Sequence, residues 1–224
     1  MKWTLFIQQK VKVAALLLCV MFFVMLTSLL GNTNLARINR AVNTIYNDRL
    51  IPASDVYYIS TNLHDKKSML ESMLHARNTA VNETTMKKFD KKINTLLTHY
   101  EHTYLVQGEA RFIHDFKNSY AAYNNAEASV MSLIKAGEFS AAQLVYSNAI
   151  KSSHNKNIQV LGELMNIQSH VGKDIIKQSE LNASIFSLLS KLQIVVAIVV
   201  GILVTRLVMS SRIAQITPEK YTMN

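Results

Sequence analysis

Within "HYEHTYLVQGEARFIHD" three histidines fall inside 16 residues: His99 and His102, one helical turn apart, and His114, followed by Asp115. Imidazoles at i and i+3 on one helix, with a third brought across a hairpin about Gly108, have a spacing that can hold zinc or copper. The plainer reading is that histidines recur on helices without any ligand. No phosphate-binding glycine loop and no serine or cysteine triad is visible along the chain. It therefore reads as a non-enzyme that needs no cofactor.

The elements that must position these residues are helices. "VAALLLCVMFFVMLTSLL", residues 13–30, runs 18 residues without a charge and would cover about 27 Å as a helix, close to the hydrocarbon thickness of a bilayer. A second apolar block, "LQIVVAIVVGILVT", lies between Lys191 and Arg206, and the span it implies extends over residues 187–209. The first block is longer than the core of a cleaved signal sequence, and no small-residue cleavage site follows it. Lys2, Lys10 and Lys12 precede the first span, while Arg206, Arg212 and Lys220 lie at or beyond the end of the second. By the positive-inside tendency both ends belong in the cytoplasm, with Trp3 and Phe6 as interfacial anchors. This divides the chain into a cytoplasmic N-terminus (1–12), a first transmembrane helix (13–30), an outer section (31–186), a second transmembrane helix (187–209) and a short cytoplasmic tail (210–224).

The outer section carries 17 Lys/Arg and 14 Asp/Glu with signs interspersed, so the net charge of +9 for the whole chain owes much to its flanks. That charge marks topology and membrane lipid rather than a nucleic-acid partner. Helical periodicity dominates the section. One helix continues from the membrane to about Arg77, with Ile38, Val42, Ile45, Val56, Ile59, Leu63, Leu70 and Met73 in step and Pro52 as its one interruption. A second, capped by Thr84 or Thr85, carries Met86, Phe89, Ile93, Leu96, Leu97, Tyr100 and Tyr104 on one face. A third follows from Glu109, with Phe112, Phe116, Tyr120, Tyr123, Ala126, Val130 and Leu133 inward and Gly137 in the left-handed position past its end. "SAAQ", residues 140–143, reads as a capping box opening the fourth helix, which the polar run "KSSHNKN" bends or frays before it enters the second span. The fold expected is all-α: a membrane-anchored antiparallel up-down-up-down four-helix bundle with two transmembrane helices. Tyr100, Tyr104, Phe112, Phe116 and Tyr120 are then core residues rather than a ligand box. Counting equal distances out from the two spans places His64, Lys66, Lys67, Lys151 and His154 together in the outer third of the bundle.

With these elements placed, "IYNDRLIPASDVYYI" closely resembles the first-helix signature of the four-helix-bundle sensor domain of methyl-accepting chemotaxis proteins, on Tyr46, Asp48, Arg49, Leu50 and Pro52. "FKNSYAAYNNAEASVMSLIKAGEFSAAQLV" is similar to the family's third helix, glycine turn and the opening of its fourth. The resemblance covers nearly the whole chain and implies a bacterial inner-membrane receptor, two-pass, with a periplasmic bundle that forms a homodimer. It also implies a small anionic ligand held between helices by cationic side chains, here His64, Lys66, Lys67, Lys151 and His154, although no known ligand motif matches position for position. Family receptors continue into a HAMP linker and a signalling coiled coil, whereas this sequence stops about 15 residues after the second span. The resemblance thus implies a sensor input without its own output, either a truncated chain or a stand-alone module that acts through a separate signalling partner, and the alternative is a non-sensing assembly protein of a cell-envelope complex. Pro52 reads first as a structural kink, and Arg49, on the heptad line between Ile45 and Val56, as a partner for Asp48, Asp55 or a carboxylate on the fourth helix.

Overall fold

The computed structural model describes residues 2–77 and 82–213. Of the polar run "NTAVNETT" (78–85), which the sequence marks as the first break, residues 78–81 lie outside the described residues, as do the tail beyond 213 and the side chains of the first ten residues, of 207–208 and of 210–213. Among the described residues every regular element is helical: α1 (Lys2–Ile45), a π turn (Tyr46–Leu50), α2 (Ile51–His75), α3 (Glu83–Glu101), α4 (Glu109–Lys135), α5 (Phe139–Val145), a second π turn (Tyr146–Ile150) and α6 (Lys151–Ile213). The chain divides into two compact units, one formed by the segments up to Arg40 and from Lys177, the other by Ala41–Ile176.

In the first unit the apolar side chains face outward. Each of its two helices contains an 18-residue window of high mean hydropathy, 2.7 and 2.3, in which few or no side chains are buried. These are two candidate membrane-spanning helices by length and composition. They approach closely at Gly31, where a Cβ would lie 3.1 Å from the Phe186 ring, so glycine is the residue that fits there. Thr27 is buried and satisfies its hydroxyl on the carbonyls of Phe23 and Val24 in its own helix.

The second unit reverses this pattern. Val56, Ile59, Leu63 and Leu70 of α2, Met86, Ile93, Leu97 and Tyr100 of α3, Ile113, Phe116, Tyr123, Val130 and Ile134 of α4, Ile150 of the second π turn, and Val160, Leu161 and Leu164 of α6 form one core. A fully buried Leu63 or Leu70 contributes about 1.5–3 kcal/mol of hydrophobic stabilisation. α2 packs along α3, and α4 packs against α5 and the second π turn. α4 closes on Gly137 at φ +76°, where the N–H of Glu138 reaches the Leu133 carbonyl at 2.9 Å and that of Gly137 the Ile134 carbonyl at 3.0 Å.

The structure moves several boundaries. α3 is capped by Asn82, whose side chain accepts from the Thr85 N–H at 3.1 Å, so Thr84 and Thr85 already lie inside the helix. α3 ends at Glu101, leaving Tyr104 in the connection and 68% exposed rather than on the inward face. In α4 the most deeply buried positions include Ile113 and Ile134, while Phe112, Ala126 and Leu133 are half-buried beside them. Ser140 and Gln143 make no capping box, because α5 already begins at Phe139 and no side chain caps it. "KSSHNKN" is unbroken helix, and the irregularity falls just before it, in the π turn Tyr146–Ile150.

Pro52 is accommodated by the other π turn. The Ile51 N–H pairs with the Tyr46 carbonyl, five residues back, and Pro52 occupies the first turn of α2. A proline ring crowds the carbonyl four residues earlier, that of Asp48, and the wider turn relieves that crowding. Arg49 lies within the turn and is buried, while Tyr46 and Leu50 point outward.

Candidate functional site

Arg49 comes from the first π turn, Glu109 from the start of α4, Tyr100 from the end of α3 and Gln168 from α6. Their side chains meet inside the bundle. Arg49 donates from Nη1 to Gln168 Oε1 at 3.1 Å and from Nη2 to the Tyr104 carbonyl at 3.2 Å. Its Nη1 stands 3.6 Å from Glu109 Oε2. Glu109 is fully buried and accepts from the Tyr100 hydroxyl at 2.7 Å, from the Gln168 amide and from the Val106 N–H. Burial, reinforced by the carboxylate of Glu109, pushes the Tyr100 hydroxyl well above the usual phenol range, so it stays a donor. One cation thus faces one carboxylate within hydrogen bonds from all four helical rows. Only Nε of the guanidinium lacks an acceptor. The carboxylate facing Arg49 is on α4, and the fourth row supplies a glutamine.

A second charged layer lies further along α2. Lys66 is fully buried; its ammonium donates to Asp90 of α3 and to Asn124 of α4 at 3.0 Å, and it stands 2.8 Å from Glu127 Oε2 of α4 as an ion pair. It also stands 5.4 and 5.3 Å from the centroids of the Tyr120 and Tyr123 rings. The Tyr120 hydroxyl donates to Asp90, and burial together with that bond keeps it protonated far beyond neutrality. Here one cation faces two carboxylates. Burial raises the Glu127 carboxyl above the normal range despite the opposing pull of Lys66. Asp90, Asn124 and Glu127 also form the inner wall of a cavity of about 370 Å³ between α3 and α4, with Lys87, Lys135 and Glu83 among its outer residues.

The proposed cationic cluster is only partly brought together. The His64 and His154 rings meet edge to face with centroids 4.7 Å apart. His154 is buried with no partner on Nδ1, and Tyr123 lies beside it at 6.4 Å. Burial, followed by the nearby His64 and Lys67, lowers the His154 imidazole to about 4. Lys67 is half-buried, Lys66 turns into the core, and Lys151 is exposed with its ammonium 5.7 Å from the Tyr146 ring centroid. The three histidines of the metal reading are not gathered. His99 pairs through Nδ1 with Asp55 at 2.7 Å, His102 bonds the Thr98 carbonyl of its own helix at 2.6 Å, and His114 faces Asn118. Among the described residues no group of three His, Cys, Asp or Glu side chains is arranged to hold a metal.

Glu109, Gln168, Asp90, Asn124 and Glu127 escaped the sequence reading, which had Tyr100 inward, yet a heptad signal was present for Glu109, Glu127 and Gln168. Arg49 lies seven residues before Val56, Lys66 midway between Ile59 and Met73, Glu109 seven before Phe116, Glu127 midway between Tyr120 and Ile134, and Gln168 seven after Leu161. Following the heptad through polar residues places each of them in the core.

Residues 5–183 match the family described as a four helix bundle sensory module for signal transduction. No curated protein and no solved structure matches the chain. The match covers the first apolar stretch and the whole unit that holds the two charged layers, and ends before the second apolar stretch; the chain belongs to this family of four-helix-bundle sensory modules.

Proposed function

We propose that the chain is a two-pass sensor of a bacterial inner membrane, with both termini cytoplasmic and the bundle periplasmic. The single observation that carries this reading is the membership of residues 5–183 in a sensory family. The character of α6 supports it: one unbroken helix holds His154 and Gln168 in the bundle core and the apolar stretch 192–205 beyond them. Pairing of Asp55 with His99 and of Lys66 with Asp90 supports an antiparallel up-down-up-down order, since one partner number rises as the other falls. A small anionic ligand or a partner binds between bundle helices, with His64 and Lys67 beside His154 as the first residues to test. Lys66 and Lys151 complete that set through the neighbouring charged layer and the Tyr146 face.

Binding shifts α6, and Gln168 carries that shift to the Arg49 layer, where the unpaired Nε leaves room for an alternative arrangement. The signal then passes through the second apolar helix to a separate signalling partner. Such coupling requires differential affinity for two states, typically about 1–3 kcal/mol. The exposed run Val42, Tyr46, Leu50 and Tyr57 supports a homodimer.

The test is thermal unfolding of the full chain in lipid nanodiscs against panels of amino acids, organic acids and divalent metals. A ligand at 100 times its dissociation constant adds about 2.7 kcal/mol and raises the midpoint visibly. A shift abolished by Lys67→Ala supports the sensor and its pocket. No shift from any panel, with a stoichiometric partner recovered from membranes, turns the reading to an envelope scaffold.

A further inference from the structure

The sequence "KKFDKK", Lys87–Lys92, places four lysines around Phe89 and Asp90 on α3. The only carboxylate in that run, Asp90, is partly exposed, but it is engaged by the Lys66 ammonium and the Tyr120 hydroxyl rather than by the lysines on the outer side of its own helix. Among the described residues Lys88, Lys91 and Lys92 are in no ion pair. Lys88 stands three and four residues from the other two, a spacing at which like charges on a helix repel.

The same three lysines border a groove of about 690 Å³ between α2 and α3, and among the described residues none that lines it is acidic. Its apolar surface comes from Phe89 and Leu96, half-buried against the core, and from the exposed Tyr58 of α2. The volume falls within the range of small-molecule sites, and an apolar body with a few convergent charges is their usual lining. A hydrophilic anion would leave the Phe89–Leu96 surface wet, and a neutral apolar molecule would leave the lysine repulsion in place. A molecule with one anionic head and one apolar ring answers both.

We propose that the α2–α3 groove binds a small amphipathic carboxylate, its ring against Phe89, Leu96 and Tyr58 and its carboxylate among Lys88, Lys91 and Lys92. This deepens the sensory reading by naming a ligand class and a place for it, distinct from the His64–Lys67–His154 cluster. It rests on that reading only for its consequence, because binding itself can be measured alone.

The experiment is calorimetric titration of the full chain in nanodiscs with phenylacetate, alongside acetate, benzyl alcohol and benzylamine, each corrected against empty nanodiscs. Saturable phenylacetate binding is expected, at least tenfold tighter than any of the other three. Lys88→Glu combined with Lys92→Glu should weaken it tenfold or more, and Phe89→Ala should weaken it while sparing acetate. Lys135→Ala, outside the groove, should leave it unchanged. Equal binding of benzyl alcohol or tighter binding of benzylamine overturns the charge argument. Loss of phenylacetate binding in His64→Ala/Lys67→Ala, with retention in the Lys88/Lys92 variant, moves the site to the histidine cluster and overturns the groove. Absence of saturable phenylacetate binding also overturns it, and leaves the sensory reading to the wider ligand panel.

Discussion

The two charged layers inside the bundle differ in balance and in closure. Around Arg49 the charges are matched one to one, and Glu109 is held by Tyr100, Gln168 and the Val106 N–H. Around Lys66 one cation serves two carboxylates, and Asp90 and Glu127 also line a cavity. A buried ion pair rarely adds much over an apolar core, but removing one partner strands the other charge. The Arg49 layer is accordingly a sealed joint between the π turn, the α3–α4 connection and α6. The Lys66 layer can change its protonation, because burial has already lifted the Glu127 carboxyl.

The largest effect expected from this contrast is at the sealed layer. Arg49→Met leaves Glu109 buried without a counter-charge and should cost about 3–5 kcal/mol in chemical unfolding of the full chain. Adding Glu109→Gln should restore most of that loss, and a single variant as stable as the parent would show that the pair is not buried as charge. Next comes the pH response of His154. Its imidazole is lowered from 6.5 to about 4, so the folded state binds fewer protons than the unfolded chain between those values. Stability present above pH 6.5 should fall as the pH drops toward 4, by up to about 3 kcal/mol. A His154→Gln variant should flatten that slope, and an unchanged slope would assign it to other groups.

Lys66→Met should cost less, about 2 kcal/mol at pH 8, because Asp90 is partly solvated and Glu127 can take a proton. A carboxyl whose folded value is raised favours the native state as the pH falls, so this variant should recover toward pH 5. Equal losses at both pH values would mean that Glu127 does not titrate. The smallest effect belongs to the exposed rim pair Lys135–Glu83, whose geometry is close yet solvent-screened. Lys135→Ala should leave the unfolding midpoint where it was.

How far the sequence could be read depends on what each signal measures. Pro52 announced an irregularity in the first bundle helix, but only the folded backbone shows that it takes the form of a π turn. The run Asn78–Thr85 announced a break, and the cap fell to Asn82 because its side chain reaches the Thr85 N–H from just outside the helix. Tyr104 looked inward on a continuous helical count, which failed once α3 ended at Glu101. Lys66 was expected to face an anionic ligand between helices; in the folded bundle its ammonium meets the carboxylates of Asp90 and Glu127.

Periodic spacing and uncharged length are local properties of the chain. They determined the all-helical class, the two apolar stretches, the left-handed Gly137 and the heptad line on which Arg49 stands. Which polar groups meet is a property of four helical rows docked together, and it depends on the rotation and height of each row. Only the tertiary structure decided that Arg49 answers Glu109, that Lys66 answers Asp90 and Glu127, and that His99, His102 and His114 go to three different partners. The reason is that a buried charge can be satisfied only by whatever the facing helices present at its own level, and no spacing within one helix specifies that level.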